Sequence, residues 1–251
     1  MSCRPCVVIP TYNNPITLGA VVAEAQLHVQ DIIVVDDGCF GSGRESVDVV
    51  AKLPGVSVRR HAKNAGKGAA VKTGIRSAAE LGFSHVLQVD ADHQHQLADI
   101  PRFLRAAAAD PSALVLGSPK FDSSAPKARL LGRKLTNACV QLETGGRVIA
   151  DPMCGFRVYP VAAALVVLPR ADRMDFDPEI AVRLVWYGLR VVNLETEVRY
   201  LSVAEGGVSH FQMVRDNARI SWMHTRLITQ AVFRLLTGRK LRSGTWQAPA
   251  G

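Results

Sequence analysis

The sequence predicts an α/β fold in which helices cover both faces of a mostly parallel sheet. Between residues 6 and 116, apolar runs of four or five residues alternate with longer segments of helical periodicity. Polar and glycine-rich residues cluster directly after these apolar runs. Ligands of open α/β sheets bind at the carboxyl edge of the strands, so these clusters indicate a binding site along one edge.

The elements of the first half follow from this alternation. Strands are predicted over the short apolar runs, at Cys6–Ile9, Ile32–Val35, Val56–Arg60, His85–Val89 and Ala113–Leu116. Helices are predicted where apolar residues recur every three or four positions, at Thr17–Val29, Glu45–Leu53, Gly68–Leu81 and Leu97–Ala109.

The alternation weakens in the second half. Prolines, serines and an aspartate predict a loop over Pro119–Lys127. Beyond it we expect helices at Leu130–Leu142, Val161–Leu168 and Pro178–Tyr187, and a strand at Arg190–Leu194. No linker splits these segments, so we interpret residues 1–213 as one domain whose second half adds surface to the first.

A long amphipathic helix is predicted at Val214–Leu236, within a basic C-terminal unit of residues 214–251. At about 100° per residue, four arginines share a sector of roughly 100°. They are Arg215, Arg219, Arg226 and Arg234, and Arg239, Lys240 and Arg242 follow. Two interpretations stay open: a packed helix with a solvated basic face, or a basic helix that lies on anionic lipid.

Composition bears on which partners and which cellular compartment the protein has. The formal net charge of +8 suits an anionic partner, but no nucleic-acid-binding motif is present, so we do not expect nucleic acid. No apolar stretch approaches the ~18 residues of a spanning helix, so membrane association would be peripheral. An odd number of cysteines, five, and no signal peptide predict a reducing cytosol.

The chemistry centres on Asp90-Ala91-Asp92, which follows the apolar run Val86–Val89. Two carboxylates one residue apart at a strand end can share a divalent cation with diphosphate oxygens, and Gln94 is close enough to complete the shell. Mg²⁺ and Mn²⁺ favour such oxygen ligands. The alternative is that Asp92 or His93 caps the next helix.

Further motifs accompany this pair in order. They are Pro10-Thr11-Tyr12-Asn13-Asn14, Val34-Val35-Asp36-Asp37-Gly38, Asn64-Ala65-Gly66-Lys67-Gly68-Ala69, Asp151-Pro152-Met153-Cys154-Gly155-Phe156-Arg157 and Phe176-Asp177-Pro178-Glu179-Ile180. Together they resemble the family-2 inverting glycosyltransferases, in particular the branch of dolichyl-phosphate mannose synthase and the polyprenyl-phosphate glycosyltransferases. The resemblance runs from about Val7 to about His210.

The resemblance implies a GT-A fold, a nucleotide-diphospho-sugar donor, Mg²⁺ or Mn²⁺, and inversion at the anomeric carbon. Carried over by motif, Pro10, Tyr12 and Asn14 border the nucleoside, and Asp37 meets the base or ribose. Asp90, Ala91, Asp92 and Gln94 lie at the metal and diphosphate, where Arg199 also meets the phosphates. Arg157 and Glu179 match acceptor-side positions. Lys67 either aids the donor phosphates or is a solvated surface residue.

The branch implies a lipid-linked acceptor, a polyprenyl phosphate, and cytoplasmic residence on the inner face of an anionic membrane. A phosphate nucleophile is already charged, whereas a hydroxyl acceptor would need a general base, for which Asp151 is the candidate. Two departures from the branch, Pro119 and the stretch from Gly206 to His210, favour a hydroxyl. A third alternative is an inactive GT-A domain that only binds a lipid surface.

Overall fold

The chain folds around one seven-stranded sheet in the computed structural model, which describes residues 3–121, 127–202, 205 and 212–241. The strands, in chain order, are β1 Pro5–Thr11, β2 Ile32–Asp36, β3 Val56–Arg60, β4 His85–Gln88, β5 Leu114–Phe121, β6 Arg157–Pro160 and β7 Val191–Val198. Their order across the sheet is β3-β2-β1-β4-β6-β5-β7. The predicted α/β class is confirmed.

Eight helices cover the sheet in the described part of the chain. They are α1 Leu18–Gln26, α2 Ser42–Val50, α3 Lys67–Glu80, α4 Ile100–Ala109, α5 Lys127–Thr144, α6 Val161–Val167, α7 Phe176–Tyr187 and α8 Met213–Leu236. None of these helices combines the length and the apolar character that a bilayer crossing requires. The order of predicted elements is confirmed, and most predicted ends differ by a few residues.

Parallel pairing brings the polar strand ends together. β1 pairs in parallel with β2 and with β4, and Thr11 at the end of β1 lies opposite Asp36 at the end of β2. Buried apolar side chains form a core on each face of the sheet, so β1 and β2 are buried almost along their whole length. The motifs that follow β1, β2 and β4 therefore share one edge, as the sequence predicts.

The sheet differs from the prediction in two places. Arg157–Pro160 forms β6, an antiparallel strand between β4 and β5 that was not predicted. Its four residues are too few to show a period. The loop predicted over Pro119–Lys127 is wrong at both ends, because β5 continues to Phe121 beside β7 and α5 begins at Lys127, and residues 122–126 lie outside the described part of the chain. β6 pairs with β5 only near Leu116, so Pro119 lies where the strand has one partner, a position that proline tolerates.

The four arginines of α8 do not form one exposed basic face. Arg226 reaches inward to Glu179 of α7 (Nη2 to Oε2, 2.7 Å), and the guanidinium of Arg234 lies 5.1 Å from the ring centre of Trp186. The inner side of α8 joins the core through Ile220, Met223, Leu227 and Ala231. The packed-helix interpretation is thus correct in part, while the boundary between residues 213 and 214 remains a prediction, and Arg242 lies outside the described residues.

The close approach of α3 to β1 depends on Gly74. A Cβ atom at this position would lie 2.3 Å from Cγ1 of the buried Val8. We therefore expect Gly74→Ala to lower the free energy of unfolding by about 1–3 kcal/mol through overpacking. Urea denaturation followed by circular dichroism measures this change.

The matched control for that substitution is Gly19→Ala. Gly19 is an exposed glycine of α1, and an added Cβ there meets nothing within 4 Å. Alanine should raise stability at this position by at most about 1 kcal/mol through helix propensity. Equal effects of the two substitutions would contradict the tight α3–β1 contact.

Candidate active site

A cleft of 860 Å³ opens at the carboxyl edge of β1, β2 and β4. Nine of the residues predicted for the site line it, namely Pro10, Tyr12, Asn14, Asp37, Lys67, Asp90, Ala91, Asp92 and Gln94. They come from four separate segments of the first half of the chain. The sheet therefore assembles the predicted donor-side set in one place.

Asp37 organises the loop that leads into α3. Its carboxylate is buried and accepts hydrogen bonds from the backbone N–H groups of Ala65 (2.9 Å) and Gly66 (2.8 Å). Oδ1 also lies 2.7 Å from Nδ1 of His61. Asp37 thus fixes the segment that carries Lys67, while its contact with a base or ribose stays a prediction.

Asp90 is held between a lysine and a glycine. Nζ of Lys67 lies 2.7 Å from Oδ1 of Asp90 and 2.8 Å from Oδ2 of Asp177. Burial alone would raise the pKa of Asp90, but the charges of Lys67 and His95 hold it well below its usual range. A Cβ at Gly155 would lie 2.3 Å from Oδ2 of Asp90, so only glycine permits this approach. The solvated alternative for Lys67 is wrong, since its side chain is 16% exposed and bridges two carboxylates.

Asp92 lacks this compensation. It has no cationic side chain within 4.0 Å among the described residues, and Oδ1 accepts only the backbone N–H of Gln94, at 3.2 Å. Burial and the neighbouring charge of Asp90 raise its pKa. A divalent cation beside both carboxylates would relieve this repulsion, so the donor set fits one.

A metal site between these side chains would be open, and not a closed cage. Within the described ranges, no group of three or more His, Cys, Asp or Glu side chains is arranged to hold an ion. Two carboxylates and the amide oxygen of Gln94 would leave several coordination positions for diphosphate oxygens. Mg²⁺ and Mn²⁺ bind in this way, with few protein ligands and the rest from substrate or water.

The turn after Asp92 is restrained from α1. His93 adopts a left-handed backbone conformation, with φ of 56°, which is uncommon for residues other than glycine. Its Nε2 lies 2.8 Å from Oε2 of Glu24. On the other side, the backbone N–H of Arg199 donates to the carbonyl oxygen of Gln94 at 3.1 Å. The helix-cap alternative for Asp92 or His93 is not what the structure contains, because Gln96 precedes the next helical turn and forms no side-chain cap.

Arg157 and Glu179 lie beneath the cleft and do not line it. Arg157 is fully buried and donates to the carbonyl oxygens of Pro152, Cys154 and Asp177. Glu179, also fully buried, accepts from Arg183 (2.8 Å) and from Arg226 of α8. The structure therefore corrects the acceptor-side role expected for these two residues. Neither side chain reaches the cleft, and both stabilise the loops and helices below it.

Asp151 and Arg199 are also placed differently from the prediction. Asp151 is buried, with Oδ2 2.5 Å from Nη1 of Arg133 and Oδ1 accepting from the backbone N–H of Met153 at 2.8 Å. Both oxygens are thus occupied, and Arg133 is the member of the pair that lines the cleft. The side chain of Arg199 is 64% exposed and contacts Glu205 instead of the cleft.

Sequence reasoning missed several basic residues of the cleft. Arg133, Arg173, Arg215 and Arg219 line it, and Nη1 of Arg173 donates to Oδ1 of Asn64 at 2.8 Å. Asp177, which anchors Lys67, stands in a quoted motif that could have pointed to it. Helical spacing does place Arg215 and Arg219 together on α8, but no local pattern brings them to Arg133 of α5 or to Arg173, which precedes α7.

A GT-A sheet, an Asp-x-Asp pair at its carboxyl edge and a basic cleft define a glycosyltransferase of the GT-A class. The sequence model described as "Glycosyl transferase family 2" matches residues 6–161. The chain belongs to this family. Family membership and the named glycosyltransferase relatives show that the protein is an enzyme that transfers sugars.

Relatives with assigned names act on lipid phosphates. The chain is 30% identical to the undecaprenyl-phosphate mannosyltransferase of Micrococcus luteus over 75% of each protein. It is 29% identical to the UDP-N-acetylglucosamine–dolichyl-phosphate N-acetylglucosaminyltransferase of Methanococcus voltae, over 64% of this chain and 70% of that protein.

A solved structure with a similar fold is glucosyl-3-phosphoglycerate synthase of Mycobacterium tuberculosis in complex with Mn²⁺ and UDP-glucose. Its TM-score is 0.64 at 16% identity, over 99% of this chain and 82% of that chain. The likeness confirms the GT-A fold.

We expect Mn²⁺ to stabilise the Lys67→Met variant against thermal unfolding more than it stabilises the wild type. The substitution leaves Asp90 and Asp177 buried without their ammonium partner, which costs about 3–5 kcal/mol. A divalent cation then binds Asp90 without competition from Lys67, so Mn²⁺ should raise the melting temperature of this variant more than that of the wild type. Thermal denaturation across an Mn²⁺ titration measures the difference.

Lys72→Met is the matched control. Lys72 lies on the same helix, and its Nζ pairs with Asp172 at 2.6 Å, a residue that does not line the cleft. Its loss should lower stability without changing the response to Mn²⁺. A Lys67→Met protein that responds to Mn²⁺ no more than the control would refute the competition between lysine and metal.

Proposed function

We propose that the protein is a metal-dependent inverting glycosyltransferase that transfers a sugar from a nucleotide-diphospho-sugar to a polyprenyl phosphate. The observation that supports this proposal is that carboxylates and arginines line different parts of the cleft. Carboxylates of Asp90 and Asp92 lie at the sheet edge, while arginines contributed by α5 and α8 line the same cleft. Such a cleft offers a metal site for one phosphate group and direct cationic partners for another.

The number of cationic side chains favours an anionic acceptor. Besides Lys67, four arginines line the cleft, namely Arg133, Arg173, Arg215 and Arg219. A donor diphosphate that is bound to a divalent cation already has much of its charge compensated. Arg133 pairs with Asp151 and Arg219 with Asp216, whereas Arg173 and Arg215 form no ion pair within the described part of the chain. Arg173 and Arg215 could therefore meet a second phosphate, and relatives named for dolichyl phosphate and undecaprenyl phosphate support the same class of acceptor.

In the proposed reaction an acceptor phosphate oxygen attacks the anomeric carbon as the bond to the donor diphosphate breaks. The products are a glycosyl polyprenyl phosphate of inverted configuration and a nucleoside diphosphate. Asp90, Asp92 and Gln94 would hold Mg²⁺ or Mn²⁺, which supplies charge neutralisation for the leaving diphosphate. Arg133 and Arg173 would orient phosphate oxygens, and the nucleotide would lie beside Pro10 and Tyr12.

A hydroxyl acceptor with Asp151 as general base is the second candidate. The engagement of both Asp151 oxygens by Arg133 and Met153 disfavours a base at this position. Of the two departures, Pro119 continues β5, and the stretch from 206 to 210 lies outside the described residues.

The proposed acceptor places the enzyme at a membrane. We propose peripheral association with the cytoplasmic face of an anionic membrane, where polyprenyl phosphates expose their headgroups to nucleotide sugars. An intact Asp90/Asp92 pair supports this catalytic role over that of an inactive module that only binds lipid.

Asp92→Asn should abolish transfer while the fold stays intact, and Asp90→Asn should reduce it strongly. Each change removes a charge from the metal site. The assay measures glycolipid formation from a panel of nucleotide sugars with a polyprenyl phosphate and Mn²⁺, and circular dichroism checks the fold. Unchanged turnover in both variants, with metal still required, would place the metal elsewhere.

Asp151→Asn separates the two acceptor classes. With a phosphate acceptor the rate should fall modestly, by less than about tenfold, because the carboxylate positions Arg133 and removes no proton. Loss of a general base would cost about 10²- to 10⁴-fold and remove the acidic limb of the pH–rate profile. A loss of that size in a folded variant that still binds donor would support the hydroxyl acceptor instead.

A further inference from the structure

The outer side of α8 is an uncharged stripe. Seven exposed residues share a sector of about 80° at 100° per residue, on the side opposite the core. They are Val214, Ala218, Trp222, Thr225, Thr229, Val232 and Leu236. The large apolar members are well exposed: Val214 is 83%, Trp222 68% and Leu236 80% accessible.

Helix α5 presents a second apolar stripe beside it. Leu131, Leu135, Ala138 and Leu142 are all exposed and fall within about 60° of one another on this helix. α5 packs against α8, and Nδ1 of His224 lies 2.7 Å from Oε1 of Glu143 at their contact. Val140 of α5 and Met223 of α8 bury into the same core, so the outer faces of the two helices turn to the same side.

The charges around these stripes have one sign. On the described side chains of the two helices, the only carboxylates are Glu143 and Asp216, and both are buried. The exposed charges are cationic: Lys134, Arg215 and Arg219, followed by Arg239 and Lys240 just past the end of α8. A second copy of the chain on this surface would bring cations against cations, whereas an anionic bilayer would meet complementary charge.

We propose that the α5–α8 outer face, defined by these two stripes and their cationic margin, docks on an anionic lipid bilayer with its apolar side chains in the headgroup region. Unlike the predicted basic face, this surface binds mainly through apolar contact, and the arginines lie at its margin. This proposal rests on the proposed function in one respect, namely that the acceptor phosphate is carried by the membrane. Arg215 and Arg219 belong both to the margin and to the cleft, so docking would bring a membrane-borne phosphate to the cleft.

The experiment measures flotation of the full chain with phosphatidylcholine–phosphatidylglycerol vesicles that contain no acceptor. Replacing Leu135 and Trp222 together by serine should lower binding about tenfold or more. The matched control is Leu27→Ser with Val49→Ser, two residues of similar exposure at α1 and α2 (78% and 62%). This control should bind as the wild type does. Absence of binding, or equal loss in both variants, would overturn the proposal.

Tryptophan fluorescence gives a local readout. Trp222 is exposed, so its emission should shift to shorter wavelength on addition of anionic vesicles. Trp222→Phe should remove this shift while the protein still binds. If light scattering instead finds a dimer that the Leu135/Trp222 substitutions dissociate, the face is an interface between copies and the proposal is wrong.

Transfer assays separate this inference from the proposed function. The Leu135/Trp222 variant should retain transfer to a water-soluble short-chain polyprenyl phosphate and lose transfer to a long-chain acceptor in vesicles. A chain that binds vesicles with the Trp222 shift but glycosylates no phosphate acceptor would refute the function and leave the docking face supported. Normal transfer to the vesicle-borne acceptor by a variant that no longer binds vesicles would refute the use of this face.

Discussion

Several buried or half-buried carboxylates converge at the carboxyl edge of the sheet, and the need to balance their charges governs the structure around the cleft. Lys67 joins Asp90 to Asp177, and thereby links the end of β4 to the start of α7. Below them, Arg157 gathers the carbonyl oxygens of the 152–154 segment and of Asp177. Of Asp90, Asp92 and Asp177, only Asp92 has no cationic side chain within 4.0 Å among the described residues, and a divalent cation there would balance its charge.

Pairing of buried carboxylates also holds α5, α7 and α8 together. Glu179 on α7 and Glu143 on α5 are both buried, and each receives a basic partner from α8, Arg226 and His224 respectively. Removing Arg226 would leave the buried carboxylate of Glu179 without this ion pair, and removing His224 would leave Glu143 without this hydrogen bond, so these contacts fix where α8 lies. The N-terminal part of α8 can then present Arg215 and Arg219 to the cleft, and its outer face stays uncharged.

The arginines of α8 have different partners, and this explains why the sequence alone predicts the wrong exposed face for the helix. An arginine every few residues suggests a basic face, yet two of the four arginines are used internally and two border the cleft. Hydrophobic residues such as Trp222 and Leu236 lie outward although apolar residues usually mark the buried side. Apolar residues occur around most of the helix, so the sequence does not say which stripe meets the core. The contacts with α5 and α7 determine which stripe of α8 faces the core.

Sequence patterns are enough to predict the α/β class, the order of most elements and the set of residues that meets at the strand ends of the cleft. They are enough because apolar runs mark strands, and parallel strands place the residues that follow them, such as Tyr12, Asp37 and Asp90, on one edge. Which charged side chains face the cleft can be seen only from the tertiary structure. Arg157 and Glu179 turned inward, and Arg133 and Arg173 turned toward the site. Their partners are contributed by other elements, and long side chains take the direction in which burial leaves a countercharge or a carbonyl oxygen within reach.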